Sequence, residues 1–200
     1  MKKVKNVQFS PINLPFDNLS PFVFIRHGET AYNKKSIVAG WTNVPLNKNG
    51  IKQADLAGEI LKKKISIKTI VSSPLKRALH TAEIISKKIS KEVQIIPELK
   101  EMNFGVMEGS AIGNKDWIVE WDRGKYIEGA ETSTEFLNRV IIGIKKALKM
   151  PSPVLIVSHG GVWLQFLKFL DVPFYDLPNS VPYYVDLKKY KNDDFFFSIK

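Results

Sequence analysis

The chain has three histidines, and two of them, His27 and His159, stand in the same local setting. Each lies one polar residue beyond a four-residue apolar run, Phe22-Val23-Phe24-Ile25 in one case and Val154-Leu155-Ile156-Val157 in the other, and each is followed by glycine. Arg26 adjoins the first histidine, and Arg77 lies within a helical pattern further along. An imidazole can attack, accept a proton or donate one near neutral pH, and a guanidinium is a planar fork that fits phosphate oxygens. Two of each describe a site for a phosphoryl group. Taken singly, a histidine is more often a hydrogen-bonded core residue and an arginine a surface ion pair; the paired placement reverses that balance. A metal is not expected, because strand-end metal sites recruit carboxylates and two arginines repel a cation.

The two apolar runs read as strands buried on both faces. They end in Arg26-His27-Gly28-Glu29-Thr30 and Ser158-His159-Gly160-Gly161, where glycine lets the backbone turn sharply and a ligand come close. Asn47 reads as the N-cap of a helix that keeps Ile51, Ala54, Ala57, Ile60 and Leu61 on one side and stops near Lys64. The alternation from Ile65 to Val71 predicts a second strand, and Ser73-Pro74 predicts a cap with proline at the first helical position. Arg77 then falls in the first turn of a helix starting at Pro74, beside N–H groups that also favour an anion. A short strand follows at Val93–Ile96, and Trp117 and Trp121 share one helical face. The capping box Thr132-Ser-Thr-Glu135 opens a helix with Phe136, Leu137, Val140, Ile141, Ile144 and Leu148 inward, closed by Pro151. A last helix carries Trp163, Phe166, Leu167 and Leu170, and 181–187 and 195–199 read as edge strands or a hairpin. Strands alternating with helices predict an α/β fold, a three-layer α/β/α sandwich with a mostly parallel central sheet. The polar clusters fall at the carboxyl edge of that sheet, where such folds bind ligands.

Composition narrows the class. A chain of 200 residues, 44% hydrophobic and 25% charged, buries a core of its own and has no apolar run near the ~18 residues that a membrane span needs. The absence of cysteine removes disulfides, thiolate metal sites and a thiol nucleophile, and no secretory signal is evident, so a cytoplasmic protein is expected. The formal charge is +10, but 26 of the 30 basic residues are Lys and only four are Arg. Scattered lysine solvates a surface, whereas base-edge readout leans on arginine, so no nucleic-acid partner is expected. The surplus does favour the approach of a small phosphorylated metabolite. Residues 1–20, with Ile12, Leu14, Phe16 and Leu19 at uneven spacing, read as an N-terminal extension, and 21–200 as a single domain.

Arg26-His27-Gly28-Glu29-Thr30 resembles the signature of the histidine phosphatase superfamily, the phosphoglycerate-mutase-like enzymes. Four further stretches match in order: Gly40–Gly50 with Gln53-Ala54, Ser72–Ala78 with Thr81-Ala82, Glu98–Gly109, and Ser158–Gly161. Leu177–Val181 resembles the late loop of the family, so the likeness runs from about Pro21 to about residue 187. It implies a phosphoglycerate-mutase-like fold with a small cap insertion at about 104–135, where Met107, Trp117, Trp121, Arg123 and Tyr126 offer an apolar or a basic wall and the two tryptophans read as core or cap packing rather than substrate stacking.

The same resemblance implies His27 as nucleophile, forming a phosphohistidine that water cleaves, and a protonated His159, with Arg26 and Arg77, on the transferring group. It makes Glu101 the general acid, since an adjacent phosphate favours a protonated carboxyl; on composition alone Glu98 is a rival. Asn33 matches a phosphate-loop asparagine, with a turn residue as its alternative, and Gly160 completes the phosphate-binding set. Mutases of the family usually carry Asn after His-Gly and a longer insertion, so Gly161 and the short 110–158 segment favour a metal-independent phosphatase of small phosphomonoesters. A mutase, which would need 2,3-bisphosphoglycerate as cofactor, and a non-catalytic phospho-ligand module are the alternatives. The substrate and oligomeric state are not encoded legibly.

Overall fold

The computed structural model describes Phe16 and residues 20–114, 116–189 and 195–200. In chain order its elements begin with β1 (Phe22–Arg26), the single-turn helix α1 (Ala31–Lys34), α2 (Lys48–Lys64), β2 (Thr69–Ser72), α3 (Lys76–Ile89) and β3 (Val93–Ile95). They continue with α4 (Asp116–Asp122), α5 (Ser133–Leu148), β4 (Val154–Ser158), α6 (Gly160–Phe169), β5 (Pro182–Val185) and β6 (Phe196–Ser198). The strands form one sheet in the order β3-β2-β4-β1-β5-β6. The first four are mutually parallel, while β5 runs antiparallel to β1 and β6 antiparallel to β5.

The apolar strands are apolar throughout because helices cover both faces. Phe22, Phe24, Val154 and Ile156 pack with Phe136, Val140, Ile144, Val162 and Phe166 of α5 and α6. Their neighbours Val23, Ile25, Leu155 and Val157 point the other way, into Ala57, Leu61, Ala78, Ala82 and Ile85 of α2 and α3. This is the period-2 alternation of a strand feeding two cores at once, and it yields the three layers expected. Arg26 pairs with Ser158 and Ser72 with Val157, so β1, β4 and β2 end level with one another. Whatever follows those three strands emerges side by side.

Several element boundaries shift from the sequence reading. The strand expected over 65–71 starts only at Thr69, because its partner β4 begins at Val154, opposite Thr69, and the pairing runs back only as far as the Lys68 N bond to Pro153 O. Helix α3 starts at Lys76 rather than Pro74, with Leu75 at its N-cap and no side-chain cap. The late segments do form an antiparallel edge hairpin. Of the N-terminal extension, all but Phe16 and Ser20 lies outside the described residues; Phe16 is buried edge-on against Phe166 and Phe169. Within 104–135, short bridges tie Ala111 to Ile37 and Phe104 to Ala130. Trp117 packs edge-on to Phe104, and Trp121 is buried with its indole N–H on Glu131 O. Among the described residues no helix is long and apolar enough to cross a membrane.

The capping box of α5 forms as read: Thr132 Oγ1 accepts from Glu135 N at 3.2 Å, and Glu135 Oε2 accepts from Thr132 N at 2.9 Å. Thr132→Ala is therefore expected to lower unfolding free energy by about 1 kcal/mol without changing turnover. Urea denaturation checks it, and a loss below a few tenths of that figure contradicts the cap.

Candidate active site

The level ends of β1, β2 and β4 deliver Arg26-His27, Ser73 and His159 to one edge of the sheet. His27 N donates to Ser158 O and Ser73 N to Val157 O, so the ladder continues one residue past each strand. The rings of His27 and His159 meet edge-to-face with centroids 5.2 Å apart, and both residues are almost wholly buried. The loop beyond His27 is pinned on every side. Gly28 N donates to Thr81 Oγ1, Glu29 N to Gln53 Oε1, and Asn179 Nδ2 to His27 O. Glu29 accepts from Asn47 Nδ2, the side chain that also caps α2. A Cβ on Gly28 would lie 2.5 Å from Gly50 O, so this glycine is needed for the approach of α2 rather than of a ligand.

The protonation state of His27 follows from its partners. Its Nδ1 lies 2.8 Å from Gly28 O, which can only accept, and its Nε2 lies 3.2 Å from Arg77 Nε, which can only donate. The ring is therefore neutral, carries its proton on Nδ1, and offers the Nε2 lone pair. Burial, then Arg77, and to a smaller extent Arg26 hold its pKa well below the ordinary histidine value. Arg77 is 1% exposed and rests on backbone carbonyls, Gly40 O at 2.7 Å and Thr42 O at 3.0 Å. Burial pushes its pKa down to about 10, with Glu101 and Glu108 opposing, so it stays cationic at neutral pH.

His159 accepts or shares a hydrogen bond with Ser73 Oγ at 2.7 Å, while its buried Nδ1 has no partner. The sequence reading makes this ring a cation. In the free protein, burial and then Arg77 hold it well below the usual value, so it is neutral until an anion arrives. The Ser73 hydroxyl also accepts from Leu75 N at 3.3 Å, so it serves both His159 and the turn that leads into α3. Arg26 donates through one Nη to Leu177 O at 3.0 Å and to the exposed Asp176 at 3.3 Å, and its buried Nε is unpartnered. A Cβ added at Gly160 would lie 3.6 Å from the Arg26 guanidinium, an ordinary contact.

Glu101 reaches the same edge through α6: its Oε2 accepts from Gly161 N at 3.1 Å and its Oε1 from Met102 N at 3.0 Å. Glu98, the rival, turns away to Lys146 at 2.6 Å. Asn33 is the N3 residue of the α1 capping box, its Oδ1 taken by Thr30 N and Thr30 Oγ1, so the turn role weighed for it is the one its carbonyl fills. The structure thus gathers His27, Arg77, Arg26, His159, Gly160 and Glu101.

Ser73, Asn179 and Arg139 are functional candidates that sequence reasoning passed over. Arg139 donates to the carbonyls of Glu98, Lys100 and Glu101 and forms a two-pronged pair with Glu131, fixing the segment that presents Glu101. The signal was available: Arg139 is one of only four arginines. A neutral imidazole whose unprotonated Nε2 faces Arg77, two guanidiniums and a carboxyl around unpartnered buried N–H-bearing groups can bind a tetrahedral anion and attack its centre.

That chemistry places the chain among enzymes that move phosphoryl groups. Its sequence matches the histidine phosphatase superfamily (branch 1) over residues 22–182, and the protein belongs to that family. It is 33% identical to a probable phosphoglycerate mutase GpmB of Yersinia pestis (strain Pestoides F) over 146 residues, 68% of this chain and 67% of that protein. A phosphoglycerate mutase from Thermus thermophilus superposes with a TM-score of 0.70 at 27% identity, over 84% of this chain and 93% of that one. A mycobacterial glucosyl-3-phosphoglycerate phosphatase solved with VO3 shares the fold, with a TM-score of 0.67 at 23% identity over 83% and 92% of the two chains.

Unfolded histidine takes up a proton near pH ~6.5, whereas the two folded rings refuse it. Their contribution to stability is whole above that pH and is lost as pH falls toward the folded values. Nitrogen NMR of the free protein at pH 6 should find the His27 and His159 rings neutral; a midpoint near 6.5 for either would contradict the burial argument.

Proposed function

We propose that this enzyme hydrolyses a small phosphomonoester, without a metal, through a phosphohistidine on His27. The observation that carries the reading is the His27 ring itself, whose bond from Arg77 leaves Nε2 unprotonated. In the first step the Nε2 lone pair attacks phosphorus as the P–O ester bond breaks, and Glu101 in its acid form gives its proton to the departing alkoxide. In the second, water attacks phosphorus, Glu101 takes a proton from it, and the P–N bond breaks to return neutral His27 and inorganic phosphate. Arg77, the Arg26 Nε and the His159 Nδ1 hold the non-bridging oxygens. The dianion draws a proton onto His159 that the empty site disfavours. At ~4 Å and an effective dielectric of ~20 each such charge pair is worth about 4 kcal/mol before desolvation. A metal cation would have to sit against Arg26 and Arg77, and positioned charge already serves the same end.

Gly161 supports hydrolysis over isomerisation. A Cβ at this position would lie 2.2 Å from Glu101 Oε1, so the asparagine usual in mutases would displace the carboxyl from its seat. The second reading, a phosphoglycerate mutase dependent on 2,3-bisphosphoglycerate, is favoured by the likeness to the probable phosphoglycerate mutase of Yersinia pestis. With 3-phosphoglycerate as substrate, phosphate release supports the first reading, and isomer formation that outpaces release supports the second. The partner proposed is a small phosphorylated metabolite, and the setting proposed is the cytoplasm.

His27→Ala should abolish turnover of an aryl phosphate, and substantial residual hydrolysis would overturn the mechanism. His159→Ala should reduce the rate about 10²–10³-fold, the cost of removing one donor from a developing anion. Glu101→Gln should slow alkyl esters far more than aryl esters, whose leaving group scarcely needs the proton. Equal losses on both would remove its acid role.

A further inference from the structure

Glu108 touches neither imidazole, yet its two oxygens accept four hydrogen bonds, all from uncharged donors. Oε1 accepts from Trp41 N at 2.8 Å and Phe104 N at 3.2 Å, and Oε2 accepts from Thr42 N at 2.8 Å and Thr42 Oγ1 at 2.6 Å. The turn it grips is the one whose carbonyls hold Arg77. In the peptide unit joining Gly40 and Trp41, the C=O accepts from Arg77 Nη2 at 2.7 Å while the N–H donates to Glu108. One residue on, Thr42 N points to Glu108 and Thr42 O accepts from Arg77 Nη1 at 3.0 Å. The turn thus presents its N–H groups to a carboxylate and its carbonyls to a guanidinium. Gly40 makes this possible: its φ is +50°, and a Cβ there would fall 2.1 Å from Glu108 Oε1.

We propose that Glu108 is a positioning residue for the nucleophile, fixing the plane of the 40–42 peptides so that Arg77 aims its Nε at His27 Nε2. The inference rests on the role given to the His27–Arg77 pair above. Rotating the Gly40–Trp41 peptide would turn its N–H toward the buried guanidinium, which has only donors, and would leave the carboxylate facing a carbonyl oxygen. The carboxylate forbids that rotation, and its charge also helps keep the buried Arg77 protonated. A hydrogen-bonded peptide with an anion at one end and a cation at the other is polarised at both, which stiffens the relay.

Glu108→Gln tests this, because the amide NH₂ of Gln must meet one of the turn's N–H groups. The variant is expected to lower kcat/KM for an aryl phosphate about tenfold to a hundredfold, the range for a small misplacement of an active-site group. It should also move the His27 Nε2 nitrogen resonance toward its position in Arg77→Ala, a shift that a purely structural role would not produce. Only three histidines are present, so the assignment is tractable. In an Arg77→Ala background, adding Glu108→Gln should change rate and resonance less than about twofold, since a residue acting through Arg77 has nothing left to act on. A wild-type resonance in Glu108→Gln, or two substitutions whose rate losses multiply, would overturn the proposal. Glu108→Asp, which keeps the charge but cannot span both N–H groups, should give a shift of the same sign and replaces the Gln variant should that one unfold. The resonance is readable whether or not any ester is hydrolysed, so failure of the proposed activity and failure of the Glu108 role are told apart.

Discussion

A buried guanidinium aimed at an imidazole nitrogen is the contact on which this molecule depends. Arg77 can only donate, so its 3.2 Å approach to His27 Nε2 compels that nitrogen to carry a lone pair, and the opposite nitrogen must then hold the proton for Gly28 O. An arginine 1% exposed is costly, with an effective penalty of several kcal/mol for leaving water. Hydrogen bonds to a charged group contribute roughly 1.5–3 kcal/mol each, so the carbonyls of Gly40 and Thr42 and the His27 nitrogen offset that penalty without a large excess. The 40–42 turn and Glu108 behind it are therefore part of the setting of the Arg77–His27 contact.

The sheet lowers the entropic cost of this contact. His27, Ser73 and His159 come from three adjacent parallel strands that end at one level, so their separation is set by strand spacing and register rather than by loops. Arg77 follows from the β2–α3 connection, and Glu101 is held through Gly161 N at the start of α6 and, from behind, by Arg139 on its backbone carbonyl. Each charged group is thus anchored to an element that the two cores already fix. The weaker tie is Arg26, whose ion pair with exposed Asp176 is screened by solvent and contributes little to stability. Its unpartnered Nε leaves it the more readily adjusted of the two guanidiniums.

Electrostatically, the site is neutral at its two rings and positive at its arginines. Burial is the larger cause for both histidines, with Arg77 next. The cation surplus counted along the chain is mostly lysine at helix ends, such as Lys62, Lys63 and Lys64 closing α2, and does not form the site. Two arginines placed by strand and helix outweigh many lysines placed by solubility.

Much was legible in the linear order of residues. Unbroken apolar runs mark strands covered on both faces, a Thr-x-x-Glu marks a helix start, and histidine-glycine pairs after such runs mark a carboxyl edge; all of these are local rules that chain sterics enforce. The boundary of β2 differs from the local pattern because a strand lasts only as long as its neighbour, and Ser73 serves the ring of His159 as well as the turn before α3. Tertiary structure alone decided which nitrogen of His27 is bare, that Gly28 serves α2 rather than a ligand, and that Arg139 and Glu108 stand behind the site. The bonds from Arg139 to the acid segment join residues 38 to 41 positions apart, and those from Arg77 and Glu108 to the 40–42 turn join residues 35 to 67 apart, each choosing among several possible partners. No local pattern encodes that choice, because it is settled by which donors and acceptors are left over once the two cores have packed.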